Sequence, residues 1–453
     1  LRSSQMEDAW LHILSFLPQR DLLRVERVSK DFLRRARLEW RRREGVDMEE
    51  ELKGSTSSEQ AIITILDRVS SRLHNLRLGC SPYSSFSPTC SPVILDHFPS
   101  SHVLTRNVVE RIAKRAPKLR SLTVHRMILT LPAITALPLL PSSLEELVIR
   151  TCRMECYTEE DGKLAQQAFS CLFDSLTNLD KFEISGRGAC YDHFVLDGEV
   201  LEHLSPSAAH LTLSAGDSLK LKNLSFIRQK NLSSFSLTRS YISTSDLSSL
   251  ISLAPSLTHL DLSYSHNISD FSPVARLPLL RSLVLTGNRD VLDDSSLELI
   301  CVSCPALRLL SLENCARVSS RGLKTIGLLL SLESLSLAGL SSVDYSVIGS
   351  LSGCADLEII DVSFCRHLSH AAVILLLTSL PSLRLVIARG VSAASSSLLS
   401  ALPPGHAMIQ MDPPKTPSCP SIAPPGHVHG TVSDALRSPS WPPPPPIPRP
   451  TFI

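Results

Sequence analysis

Two short clusters of sulfur and imidazole side chains are where this chain has the donors for a metal. Cys301-x-x-Cys304 has the spacing of half a zinc site but lacks a second pair, and Cys365-x-His367-x-x-His370 sets three soft ligands close together. Cys304 and Cys365 recur at fixed places in a repeated apolar pattern, so both sulfurs are expected in a core. Cys365 should then be turned away from the two imidazoles. A further pair, His427-x-His429, stands alone in a proline-rich stretch. No glycine-rich phosphate loop appears, and no nucleophile stands with its base and orienter in a known motif. The expectation is a chain without catalytic residues, metal or cofactor, whose work is contact.

The pattern that fixes those cysteines is Leu-x-x-Leu-x-Leu. Clear copies begin at Leu144, Leu257, Leu307, Leu332 and Leu357, and weaker ones centre on Leu76, Leu122, Phe182, Leu211, Phe235, Leu283 and Val386. They recur about every 25 residues, evenly from Phe235 onward. Alternate residues of each short strand turn into a core, and the return segment supplies a covering helix. One unit cannot bury its own apolar face, so the units must stack. Cys152, Cys315 and Cys365 hold the ninth position; Cys304 and Cys354 precede the next copy's first leucine by three residues. This arrangement resembles the cysteine-containing leucine-rich repeats, which implies an α/β solenoid, a curved parallel sheet with outer helices, over residues 73–400.

Composition narrows the function. The 453 residues are 43% apolar and 20% charged, enough for a continuous core, and 45 basic against 44 acidic side chains give a net charge of +1. Nothing there asks for nucleic acid or a membrane surface as partner. Cysteines at repeat positions read as reduced core residues, and the longest apolar run, 371–377, is far short of a membrane span. With no signal peptide evident, the expected location is cytoplasmic, nuclear or both.

Residues 5–44 form a different module. Trp10, Ile13, Leu14 and Leu17 fall on one helical face, Pro18 stops that helix, and Asp21 is placed to cap a second helix carrying Val25, Val28, Phe32 and Ala36. The run from Trp10 through Pro18-Gln-Arg-Asp-Leu22 to Val28-Ser-Lys-Asp-Phe32, closing at Leu38-Glu-Trp40, resembles an F-box. Gln5-Met6 stand where that family has Leu-Pro, and Ser29 where Cys is common. An F-box followed by such repeats resembles the substrate receptors of SCF (Skp, cullin, F-box) ubiquitin ligases. That resemblance implies a Skp-type adaptor, and through it a cullin/RING core, bound by Trp10, Ile13, Leu14, Leu17, Pro18, Leu22, Val25, Val28 and Phe32. It also implies a protein substrate held by the repeats for ubiquitination and degradation. The alternative is an adaptor-independent repeat scaffold or inhibitor, in which the same helices merely cap the solenoid.

Between the modules, residues 45–72 read as a linker and leading helix, and the basic run around Arg34 to Arg43 as a solvated helix face. Residues 80–101, with three Ser-Pro pairs, read as an inserted loop. Sixteen of the 31 prolines lie in 403–453, so 401–453 reads as a disordered tail, with 442–450 similar to a ligand of proline-recognising domains.

Residues alternating with the core leucines, at the third, fifth and seventh positions, should line the concave face. The central strands offer mostly Ser and Thr. Apolar side chains gather late, at Leu309, Ile359, Leu385 and Ile387, rimmed by Glu313, Asp361 and Arg389. This is the expected substrate-binding patch, unless the chain's own C-terminal segment covers Leu385 and Ile387.

Overall fold

In the computed structural model, which describes residues 10–17, 19–48, 58–69, 71–79, 102–186, 196–214, 231–239, 242–265, 267–391 and 408–410, every copy of the apolar pattern becomes a short strand. Pro18, the 80–101 loop, His427, His429 and the 442–450 proline segment lie outside the described residues.

The strands are β1 (Gly45–Asp47), β2 (Asn75–Gly79), β3 (Val103–Leu104), β4 (Ser121–His125), β5 (Ile128–Leu129), β6 (Glu146–Met154), β7 (Lys181–Gly186) and β8 (His210–Ser214). They continue through β9 (Ser234–Leu237), β10 (His259–Asp261), β11 (Ser282–Val284), β12 (Leu309–Ser311), β13 (Ser334–Ser336), β14 (Ile359–Asp361), β15 (Leu385–Ile387) and β16 (Met408–Gln410). All pair in parallel, in chain order apart from β3 and β5, which form a short side ladder against the end of β6. The central residues predicted from the repeat stand opposite one another across the sheet, from Leu76 to Leu122, Leu147 and Phe182, and on through Leu310, Leu335, Ile360 and Val386. Each is buried. Parallel pairing needs a crossover segment, and helices are found in the described return stretches, as at Arg106–Arg115, Glu159–Ser175, Thr244–Leu253 and Asp294–Ser303.

Two further rungs lengthen the sheet at its ends. Val46 of β1 pairs with Leu76, so the sheet starts inside the segment expected to be linker. Ile409 of β16 pairs with Val386, past the expected solenoid end at 400. Both corrections share a cause, because an uncovered parallel edge strand leaves a row of backbone groups unpaired, and a short strand from either flank satisfies them.

From β9 to β15 each repeat bends at its eighth position, where the backbone is left-handed: Arg239, Tyr264, Gly287, Asn314, Gly339, Phe364 and Gly390 all have positive φ. The bend lets the pairing run on beyond the strand, so that the N–H of Asn314 donates to the Ala338 carbonyl at 2.9 Å and that of Gly339 to the Ser363 carbonyl at 2.8 Å. Glycine is required where the preceding repeat crowds the bend. A Cβ on Gly390 would lie 2.6 Å from the Phe364 ring, and one on Gly287 would enter the Tyr264 ring.

The ninth position explains the cysteines. The thiols of Cys315 and Cys365 donate to the carbonyls of Leu285 (3.1 Å) and Leu337 (3.2 Å), each in the preceding repeat. Asn288 does the same work with its amide, donating to the Leu262 carbonyl at 3.0 Å.

The N-terminal module has three helices, α1 (10–15), α2 (Gln19–Val25) and α3 (Lys30–Arg42), rather than the two expected. Ser29 separates the last two: its hydroxyl accepts the Phe32 N–H at 3.2 Å and caps α3, so the helical spacing from Val25 to Ala36 is broken. Asp21 lies inside α2, paired with Arg24. The Trp10 and Phe32 rings meet edge to face at 5.5 Å. Leu14, Leu22, Ala36 and Trp40 belong to one continuous core with Val46, Met48 and Ile62 of the first repeat. The basic run is partly turned inward, since Arg43 donates to the Leu17 carbonyl at 2.8 Å and covers the Trp40 ring. Glu26 receives both Nε and Nη2 of Arg68, which follows the next helix, α4 (Ser58–Leu66), fixing the module to the solenoid.

Candidate functional site

The N-terminal helices divide their apolar residues between two faces. Leu14 (2% exposed) and Leu22 (0%) are buried against the chain itself, whereas Ile13 (53%), Phe16 (74%) and Val28 (67%) are open. Trp10, Leu17, Val25 and Phe32 are half-buried. Leu14 and Leu22 therefore do not form the adaptor surface assigned to them; they close the end of the solenoid core. Helical spacing finds an apolar stripe but does not say which neighbour covers it. Phe16, which lies off that stripe and meets the His12 ring edge to face at 4.9 Å, is an exposed residue the periodicity passes over.

On the concave face the late patch is brought together across adjacent strands. Ile359 stands beside Leu385, and Asp361 beside Ile387; Leu309 is set apart by Ser334. These side chains are half-buried, as are Glu313 and Arg389. Strand β16 continues the sheet edge beside β15 and so extends the face, with Met408 in register with Leu385. Burial pushes the Asp361 carboxyl above its ordinary pKa, against the pull of the Ser363 N–H at 2.8 Å and the nearby Arg389. Glu313 is raised too, first by burial and then by the charge of Asp361.

The early concave face carries charge that the repeat pattern did not reveal, because the uneven repeat lengths there obscure which residues are adjacent. These charges satisfy one another. Arg150 holds both carboxylate oxygens of Glu183, one at 2.7 Å, and Lys181 meets Glu146 at 2.6 Å. His125 is pushed down to about 4 by burial and by Arg150, Arg126 and Arg77, so its imidazole is neutral at neutral pH. Asp261 is tied down by the Ser263 N–H at 3.0 Å and the Ser263 and Ser236 hydroxyls.

The buried thiols at the repeat positions, and Cys301 beside them, are held in the neutral form. Burial pushes Cys301, Cys315 and Cys365 up to about 12, and Cys304 and Cys354 to about 11. Cys365 is buried on the Leu337 carbonyl while His367 and His370 are exposed, so the three do not converge. Among the described residues no group of three or more His, Cys, Asp or Glu is placed to hold a metal. No helix among them is long and apolar enough to cross a membrane.

No protein-family model matches the chain. Among solved structures, the fold is similar to that of yeast Rad7, determined as a complex with Elc1. The identity is 15%, over 82% of this chain and 91% of that one, with a TM-score of 0.52. An internalin from Listeria monocytogenes matches at 18% identity over 75% of this chain and 88% of its own, with a TM-score of 0.40. The fold is a leucine-rich-repeat solenoid, and the chain carries an N-terminal helical module joined to its first repeat.

Proposed function

We propose that this solenoid is the substrate-recognition subunit of an SCF-type ubiquitin ligase, binding a Skp-type adaptor through its N-terminal helices and a protein substrate through its concave face. The observation that carries the reading is the divided N-terminal module. Its inner residues, Leu14, Leu22 and Trp40, are spent on the solenoid core, yet Ile13, Phe16 and Val28 stay open to solvent. A module that served only as a cap would have no use for three large apolar side chains on its outer side. Rad7 offers a parallel, as a protein of similar fold determined together with a protein partner. The chain's own part is binding, and ubiquitin transfer belongs to the enzymes it would recruit.

One feature favours the second reading, a repeat scaffold that works without the adaptor. Glu26 and Arg68 lock the helices to the solenoid, and the core runs through both without a break, as a dedicated cap requires. Capture of purified Skp-type adaptor by the full chain separates the two. Replacing Ile13, Phe16 and Val28 together by Asp should abolish capture with the thermal midpoint unchanged, because none of the three contributes to the core. Undiminished capture by that variant, or none by the parent chain, would reject the adaptor surface.

A further inference from the structure

We infer that the concave face over β12–β15 recognises a protein segment that carries a basic side chain between aliphatic ones. This rests on the substrate-receptor reading and narrows the class of substrate. Glu313 follows β12 and Asp361 ends β14; between them lie Ser336 and Ala338 of the intervening repeat, which are short and buried. The floor between the two carboxylates is therefore low. The Glu313 carboxylate has no hydrogen-bond or ion-pair partner among the described residues, and Asp361 is held by Ser363. Elsewhere on this face the carboxylates of Glu146 and Glu183 are matched by Lys181 and Arg150. Here Arg389 acts on Asp361, while the one charge acting on Glu313 is that of Asp361 itself, so the Glu313 carboxylate is left unbalanced in a half-buried setting.

Beside the acids lie Ile359, Leu385 and Ile387. A lysine or arginine suits both features, since its aliphatic stem covers the isoleucines while its head donates to the carboxylates. An acidic segment would add a third like charge, and a wholly apolar one would bury the Glu313 carboxylate without a partner. Phe364, exposed on the rim with its ring packed on Gly390, widens the apolar wall next to Arg389. Its left-handed backbone is strained for a phenylalanine, and six other bends include three that use glycine, so the fold does not demand an aromatic there.

The probes are fluorescein-labelled synthetic peptides with a central Arg, Lys, norleucine or Glu flanked on each side by two leucines, titrated into the full chain by anisotropy. The Arg and Lys peptides should bind at least tenfold tighter than the norleucine peptide, and the Glu peptide weakest. Glu313→Gln and Asp361→Asn should each remove most of that preference. Glu313→Gln breaks no hydrogen bond, so it separates charge from folding. Lowering the pH should erase the preference as the two carboxyls protonate, beginning above the ordinary carboxylate range. The neighbouring Cys315 and Cys365 thiols, at about 12, stay neutral. Equal binding of the norleucine peptide, tighter binding of the Glu peptide, no binding of any, or a preference surviving in the Glu313→Gln/Asp361→Asn double variant would overturn the inference. Adaptor capture on the same preparations keeps the failures apart: capture without basic preference defeats this inference alone, and basic preference without capture defeats the ligase reading alone.

Discussion

Left-handed bends and half-buried carboxylates are the individual residues with most leverage here. Gly287→Ala combines a positive φ with overlap of the Tyr264 ring, so its cost should exceed the ~1–2 kcal/mol of a left-handed alanine alone. Adding Tyr264→Ala should return the overlap part, and denaturant titration of the single and double variants checks this. Glu313 works in the opposite sense. Burial raises its folded-state pKa above the unfolded value, so the native chain holds the proton more tightly, and stability falls as pH rises through the folded pKa. Glu313→Gln should accordingly raise the thermal midpoint at neutral pH and leave it unchanged below about pH 3, where Glu313 is protonated in the folded and the unfolded chain alike. An unchanged midpoint at neutral pH would mean that the charge is better solvated than its surroundings imply.

Among the elements, the strands were the most legible part of the sequence. A leucine at the centre of each copy sits on an axis of period 2 flanked by leucines two and three residues away, and that signal survived even where Phe or Val replaced it, as at Phe182 and Val386. Val46 and Ile409 were missed because each stands alone in a three-residue strand with no such flanks. Their burial or pairing comes from the neighbour that needs a partner, which no local pattern records. The consequence is a sharper boundary for truncation. Removing 411–453 should leave the thermal midpoint unchanged, since a proline-rich stretch has little to bury. Removing 405–453 also takes β16, exposes the edge of β15 and should lower it. In the N-terminal helices, Leu22→Ala should cost ~2–5 kcal/mol as a core truncation, whereas Val28→Ala should be close to neutral, and thermal unfolding distinguishes them.

Taken as one body, the described residues share a single core, with three outward apolar side chains on the N-terminal helices at one end and a half-buried apolar and acidic patch on the late sheet. Helical spacing made the apolar stripe of the first end legible but not its orientation, because a helix with one apolar stripe reads alike whether it packs on a partner or on its own first repeat. The second end was legible as a list of positions, and only the register showed which of them touch. Both ends are needed if the chain is to bring a substrate to a ligase, and they must work at once. The most direct measurement is hydrogen exchange on the full chain with and without purified Skp-type adaptor. Protection confined to α1–α3, with the amides around β12–β15 exchanging as in the free chain, is the predicted result. Protection over β12–β15, or none in the N-terminal helices, would contradict the assignment of one end to the adaptor and the other to the substrate.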